Sequence, residues 1–257
     1  MPRLVLLSLV LLAACRADAP AQPTRTSFCS DRMFDGSRFT VCSARGGAIE
    51  VRTGKVPYRS FSKLEAALGK QAGNVAFAMN AGMFDEGGRA IGLLIEDGKE
   101  LHAINRNKGG GNFHLMPNGV LLVRKSGKAE VVTSERFRPA RDIAFATQSG
   151  PMLVIDGKLH PKFEADGSSR YVRNGVGVTR DGTAVFAISA DMVSFGKFAR
   201  LFRDELKTPN ALYFDGSVSS LWDPANGVRD SFVPLGPMVV VFKPAASAPD
   251  REGRARP

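Results

Sequence analysis

The sequence predicts an α+β fold, β-rich, mainly antiparallel hairpin sheet with two amphipathic helices packed on it. Three observations carry that prediction. Two-residue turn signals such as Asp-Gly recur along the chain between apolar or alternating runs, the strongest local sign of a hairpin. Strand-like runs outnumber helical ones. The strands also follow one another directly instead of alternating with helices, which argues against a parallel α/β sheet. No internal repeat is present.

The N-terminus is expected to be processed. Residues 1–14 read MPRLVLLSLVLLAA, with Arg3 ahead of the apolar run. That run falls short of the about 20 apolar residues a membrane-spanning helix needs. A basic start and a short apolar stretch mark a secretory signal. Leu12-Ala13-Ala14-Cys15 resembles the lipobox of bacterial lipoproteins, in which the cysteine becomes the lipidated first residue of the mature chain. A plain signal peptide cleaved near Ala14 is the alternative. The expected location is the bacterial cell envelope, periplasm-facing, with membrane attachment through Cys15. Residues 15–27 form a Pro/Ala-rich tether, 28–243 one domain, and 244–257 a basic tail expected to be disordered, with Arg251, Arg254 and Arg256.

The domain opens with FCSDRMFDGSRFTVCSA, two short strands around Asp35-Gly36. An oxidising envelope permits a Cys29–Cys42 bridge across them; two buried thiols are the other reading. Ser62-Lys63-Leu64-Glu65 is a capping-box pattern, which predicts a helix running to about Gly69 or Lys70. A strand is expected at Val75–Met79. Hairpins are expected at Asp97-Gly98, Asn118-Gly119, Ser126-Gly127, Asp156-Gly157 and Asp181-Gly182, with a strand at Ile143–Thr147 among them. Between Ser194 and Lys207, Phe195, Phe198, Leu201, Phe202 and Leu206 share one helical face, which reads as core packing. Strands at Ala211–Phe214 and Met238–Phe242 follow.

The formal charge of +10 points to an anionic partner: an anionic glycan, a phosphorylated sugar or a membrane surface. Nucleic acid is not expected in this compartment, because the basic residues outside the tail are scattered and form no stripe interleaved with aromatic residues. Several chemistries are excluded by missing motifs. There is no Gly-x-Ser-x-Gly elbow for a serine esterase and no phosphate-binding Walker or dinucleotide fingerprint. His102, His114 and His160 lack ligand spacing, two cysteines do not make a zinc site, and the Asp-Gly pairs do not form a calcium loop. No metal and no cofactor is expected.

Four segments share one design, an apolar strand that runs into polar and small residues: VAFAMNAGMF (75–84), IAFATQSGPM (143–152), AVFAISADMV (184–193) and ALYFDGSVSSLW (211–222). Strands that end this way can gather Asn, Gln, Ser and Asp at one rim of a sheet. Gly and Ala beside them let a ligand approach the backbone. Each end, taken singly, can equally be a polar turn.

Asn80-Ala81-Gly82-Met83-Phe84, Gln148-Ser149-Gly150-Pro151-Met152-Leu153-Val154, Arg173-Asn174-Gly175-Val176-Gly177-Val178 and Asn210-Ala211-Leu212-Tyr213-Phe214-Asp215-Gly216-Ser217-Val218-Ser219-Ser220 together resemble the phosphodiester glycosidase family, over about residues 75–243. The family's usual Asn-Gly-Gly-Tyr/Thr-Phe stands here as Asn-Ala-Gly-Met-Phe. Its Leu-Asp-Gly-Gly-Gly-Ser-Ser stands as Phe-Asp-Gly-Ser-Val-Ser-Ser. The departures place the chain in a bacterial branch of the family.

The resemblance implies hydrolysis of a sugar–phosphate diester or a related glycan bond. Such a reaction needs a carboxylate at the anomeric carbon. Asp215 and Asp191 lie nearest the motif ends, with Asn80 beside them as a catalytic candidate. Arg173, with Arg170 in reserve, is the expected phosphate clamp, since a guanidinium meets phosphate bidentately. Gln148, Ser149, Asn174, Ser217 and Ser220 are expected to bind the sugar. Two functions stay open here: an envelope hydrolase, and a non-catalytic glycan-binding lipoprotein that keeps the same pocket.

Overall fold

The computed structural model describes residues 27–230 and 232–245. Cys15, the tether as far as residue 26 and the tail beyond 245 lie outside the described residues.

The chain enters through β1 (Cys29–Phe34) and β2 (Ser37–Ser43). Their turn, Asp35-Gly36, has positive φ at both residues, 48° and 72°, as in the tight turns whose twist matches that of the flanking strands. Cys29 faces Cys42 across the hairpin and is bonded to it as a disulfide. Closing that loop contributes about 2–4 kcal/mol. Next come β3 (Ala48–Arg52), α1 (Phe61–Leu68) and β4 (Val75–Asn80). The hairpin β5 (Leu94–Glu96) to β6 (Lys99–His102) turns at Asp97-Gly98. The hairpin β7 (Gly119–Arg124) to β8 (Ala129–Thr133) turns at Ser126-Gly127. Strand β9 (Ile143–Ser149) runs through Gly150-Pro151 into β10 (Met152–Ile155), which turns at Asp156-Gly157 into β11 (Lys158–Leu159). Asp181-Gly182 joins β12 (Asn174–Val178) to β13 (Ala184–Ser189). After α2 (Phe195–Arg200) come β14 (Asn210–Tyr213), β15 (Leu221–Asp223), β16 (Val228–Arg229) and β17 (Met238–Phe242).

These strands form three antiparallel sheets, ordered β1-β2-β13-β12-β14-β10-β11, β16-β15-β4-β17-β3 and β6-β5-β9-β7-β8. Strand β17, and β4 up to Met79, are apolar because both are inner strands, buried at every residue. Val51, Phe77, Leu121, Phe186, Leu212 and Val239 bring all three sheets into one core. Phe77 and Phe186 meet edge to face with ring centroids 5.4 Å apart. Truncating a phenylalanine so placed costs about 3–5 kcal/mol.

Three expectations are corrected. Asn118-Gly119 is not a hairpin turn. FHLM, which precedes it, is a short 3-10 turn (Asn112–His114) instead of a strand, and Asn118 is buried, donating to Phe113 O at 3.0 Å. The cap of α1 is Ser60, whose Oγ accepts from Lys63 N at 3.2 Å; Ser62 lies within the helix, and Glu65 pairs with Arg229. The helix expected over 194–207 is capped by Ser194 as its sequence implies, but it widens into a π turn over Leu201–Glu205. Thr208 closes that turn, its N and Oγ both donating to Phe202 O.

The register gives the molecule two ends. Asn174, Ser189 and Tyr213 lie at one end of the seven-stranded sheet, and Asn80, Leu221 and Met238 at the same end of its neighbour. The chain enters and leaves at the other end, where Cys29 pairs with Cys42 and Pro244 packs against Gly46.

Candidate active site at a sheet junction

Strand β4 ends at Asn80 and β12 begins at Asn174, and these two buried amides join their sheets. A buried amide must satisfy both its oxygen and its nitrogen. Asn80 Oδ1 accepts from Asn174 Nδ2 and from Ser220 N, each at 2.8 Å, and Asn80 Nδ2 donates to Asp215 O at 2.9 Å. Asn174 Oδ1 accepts from Ser219 Oγ at 3.2 Å, which also lies 3.1 Å from Val172 O. Ser220 Oγ donates to Val218 O at 2.7 Å. The turn after β14 is thereby fixed at both of its ends.

Asp215 stands on that turn, partly exposed. Its N donates to Ala81 O at 3.3 Å. Its Oδ1 accepts from Ser217 N at 3.1 Å and Ser217 Oγ at 2.5 Å. Among the described residues Oδ2 takes no hydrogen bond. One carboxylate oxygen is therefore held while the other is left for a ligand.

Behind Asp215 lies a buried cation. Arg173 is fully buried. Its Nε donates to Val193 O at 2.8 Å, Nη1 to the Tyr213 hydroxyl at 3.2 Å and Nη2 to Ser169 O at 2.8 Å. The guanidinium lies 3.5 Å from the centroid of the Phe195 ring, a cation–π contact. Burial pushes its pKa down, and the Tyr213 oxygen opposes that shift. The Tyr213 phenol is pushed up to about 12, chiefly by burial; Arg173 opposes and the Asp215 charge adds. Gly216 sits on the Tyr213 hydroxyl so closely that a Cβ there would lie 1.6 Å from the oxygen.

Asn80, Asn174, Asp215, Ser217 and Ser220 thus come together, and Arg173 reaches them only through Tyr213. In this structure the Arg173 guanidinium is buried and bonded to Val193, Ser169 and Tyr213, so it does not face the open side of Asp215 as the expected phosphate clamp would. Arg170 stands at the surface, where it pairs with Asp166 at 2.7 Å. Asp191 Oδ2 accepts from Arg38 N at 2.8 Å and ties the loop after β13 to β2. Gln148 is buried, with Oε1 accepting from Leu93 N and Asn105 N and Nε2 donating to Asn105 O. Its polar atoms hold a loop, leaving none free for a sugar. Ser149 is fully buried with its hydroxyl unpaired.

The sequence assigned no role to Tyr213 or Ser219. The available signal was spacing: Tyr213 and Asp215 are two residues apart on an extended segment and so share a face. A small cavity of about 190 Å³, lined by Leu115, Phe163, Ser169 and Phe195, adjoins the residues that hold Arg173. Chemically, the junction presents an ionisable oxygen fixed by backbone and hydroxyl donors, with a buried positive charge one tyrosine away.

Residues 73–242 match the model of the phosphodiester glycosidase family. The chain is 36% identical over 169 residues to the uncharacterized protein YigE of Escherichia coli (strain K12), a match covering 66% of this chain and 66% of that protein. The chain thus spans about two thirds of that relative's length. Among solved structures it resembles the catalytic domain of zebrafish N-acetylglucosamine-1-phosphodiester alpha-N-acetylglucosaminidase, auto-inhibited by its pro-peptide, with TM-score 0.57 and 16% identity over 87% of this chain and 85% of that one. It also resembles a hypothetical protein from Synechocystis, with TM-score 0.52 and 14% identity over 83% of this chain and 61% of that one. At such identities the likeness establishes the fold.

Proposed function

Because the chain belongs to the phosphodiester glycosidase family, we propose that it hydrolyses a glycosyl phosphodiester, with Asp215 as the carboxylate at the anomeric carbon. The observation that carries this reading is the open Oδ2 of Asp215 on a turn tied down by Asn80, Asn174 and Ser219. The zebrafish neighbour's name describes such a reaction, which adds support for the substrate class.

In the proposed step the bond from the anomeric carbon to the phosphate oxygen breaks and the oxygen keeps the electron pair. A phosphate monoester leaves readily as an anion, so little general acid is needed. Asp215 either attacks the carbon or takes a proton from the attacking water. Arg173 supports the developing negative charge from behind Tyr213, without touching phosphate.

The test is hydrolysis of N-acetylglucosaminyl and glucosyl phosphodiesters by wild type and Asp215→Asn. Turnover is expected to fall by a factor on the order of 10² or more with an unchanged melting temperature. Equal rates would remove Asp215 from the mechanism. Binding of the sugars without cleavage by either form would establish a glycan-binding lipoprotein instead. We place the protein in the envelope, anchored through Cys15. On that placement Cys15→Ser moves it from the membrane to the soluble fraction, and a variant that stays membrane-bound through high salt refutes the anchor.

A further inference from the structure

Eight large apolar side chains are exposed among the described residues, and six of them, Met33, Val56, Tyr171, Met192, Phe232 and Val233, stand on loops or a strand tip at the Asp215 end. Phe232 is 90% exposed. Scattered exposed side chains need no explanation, but a collection at one end does.

The six form two shoulders. On one, Met33 pairs across its hairpin with Arg38, which bonds to Ala190 and Asp191, while Tyr171 bridges to Val193. Met33, Met192 and Tyr171 are therefore neighbours. On the other, Arg59 O accepts from Leu235 N, the Arg59 guanidinium lies 5.2 Å from the centre of the Phe84 ring, and that ring packs on Gly236. The loop bearing Val56 thus stands beside the loop bearing Phe232 and Val233. Asp215 lies between the shoulders, bonded to Ala81 on one side and following Tyr213 on the other.

Cations stand among these tips. Arg32, Arg38 and Lys55 are exposed and pair with no carboxylate among the described residues. Apolar tips on separate loops with unpaired cations between them fit a lipid surface, where the tips enter the acyl boundary and the cations meet phosphates. A protein interface is instead depleted of charge at its centre.

We infer that this end is a membrane-docking face for anionic phospholipid and that, given the Asp215 reaction above, the substrate is a glycosyl phosphodiester whose second ester is a lipid chain. The sugar enters water and the lipid phosphate stays in the bilayer. Its phosphodiester lies at headgroup depth, level with Asp215.

The test uses the mature chain with Cys15→Ser, so that no acyl group contributes, and a triple variant Met33→Ser/Met192→Ser/Phe232→Ser added to it. Vesicle flotation compares phosphatidylglycerol/phosphatidylethanolamine with phosphatidylcholine. The parent is expected to float with the anionic vesicles and to lose at least about tenfold in affinity in the triple variant. Leu101→Ser/Val228→Ser, which removes the two exposed apolar residues outside the six, is expected to keep it. In the second arm, hydrolysis of N-acetylglucosaminyl phosphoryl hexadecyl ester in vesicles is compared with that of the methyl ester in water. The parent is expected to prefer the hexadecyl ester by about tenfold or more, and the triple variant to lose that preference while keeping the methyl ester rate. No flotation, or flotation unaffected by the triple variant, overturns the docking face and leaves a protein partner for these tips. Equal rates on the two esters overturn the lipid-linked substrate but leave the Asp215 reading intact. Flotation that depends on the tips, with neither ester cleaved, sinks the Asp215 reading and leaves the docking face standing.

Discussion

Two strand ends in this molecule are written almost alike and do opposite work. Strand β4 runs VAFAM into Asn80, Ala81 and Gly82; β9 runs IAFAT into Gln148, Ser149 and Gly150. Both amides are buried with their oxygens doubly bonded. Asn80 spends its bonds on the turn that presents Asp215, across a junction between two sheets. Gln148 spends its bonds on the loop at Leu93 and Asn105 and on Asn118, within the frame of one sheet. The two ends touch, since Gly82 N donates to Thr147 Oγ1 at 3.2 Å. A strand that ends in a buried amide is thus a joint. What the joint serves depends on the segment at its far side.

The sharpest way to break that contrast is to truncate both amides. Asn80→Ala strands Ser220 N, leaves Asn174 Nδ2 only the backbone carbonyl of residue 80, and leaves the Asp215 carbonyl only Val218 N. It is expected to cost about 2–4 kcal/mol in denaturant unfolding, as buried groups lose partners, and at least about tenfold in turnover per folded molecule, roughly the 1.4 kcal/mol that one misplaced group costs. Gln148→Ala is expected to cost a similar amount in stability and leave turnover of the folded protein within about twofold, a change of under 1 kcal/mol. If both lose activity alike, the two amides do not differ in what they serve.

A smaller effect sharpens the Gln148 side. The loop that Gln148 holds is also pinned by His160, whose Nε2 donates to Met116 O at 3.2 Å while Nδ1 accepts from Lys162 N. Burial lowers the pKa of His160 from the ordinary 6.5, so this neutral form is favoured. The unfolded chain then takes up its proton first as pH falls. The stabilisation is whole above pH 6.5 and drains away below it, toward the folded pKa. Between about pH 7.5 and 5.5, a range spanning the ordinary histidine pKa, the melting temperature is expected to drop more in wild type than in His160→Gln. Amide exchange should rise at residues 112–118 before it rises around Asn80. Parallel curves for the two proteins would discard His160 as the clamp.

Ser149→Ala should do least. Its hydroxyl is buried and unpaired, so removing it takes away a desolvation penalty and no bond. Stability is expected to be unchanged or to rise by up to about 1 kcal/mol by thermal unfolding. A loss beyond that would reveal a hidden partner for the hydroxyl.

The sequence carried most of the hairpins, because Asp35-Gly36, Asp97-Gly98, Asp156-Gly157 and Asp181-Gly182 determine their turns locally. It placed Asn80, Asn174, Asp215 and Ser220 at strand ends, and the structure gathers them. It could not separate Asn80 from Gln148, since the difference lies in residues 135 and 43 positions away in the chain. Nor did the basic character of Arg173 show that Val193, Ser169 and Tyr213 would occupy its donors. The disulfide hairpin read as a local staple, yet β2 is an inner strand whose Cys42 lies opposite Phe186, a pairing set by registry across more than a hundred residues. Asn118-Gly119 misled for the complementary reason: its turn chemistry is local, but Asn118 is buried against Phe113 and Ser134.

The contact between Gly216 and Tyr213 has a practical bearing on efforts to diversify this protein. The space a methyl group would need at 216 is already filled by phenol, and replacing Tyr213 by phenylalanine leaves the ring carbon Cζ only 2.7 Å from that position. A mutant library randomised at 216 alone is therefore expected to yield mostly clones in which this turn or the Tyr213 side chain has shifted. Useful variants at 216 are to be sought only by varying 213 jointly and admitting side chains shorter than an aromatic ring.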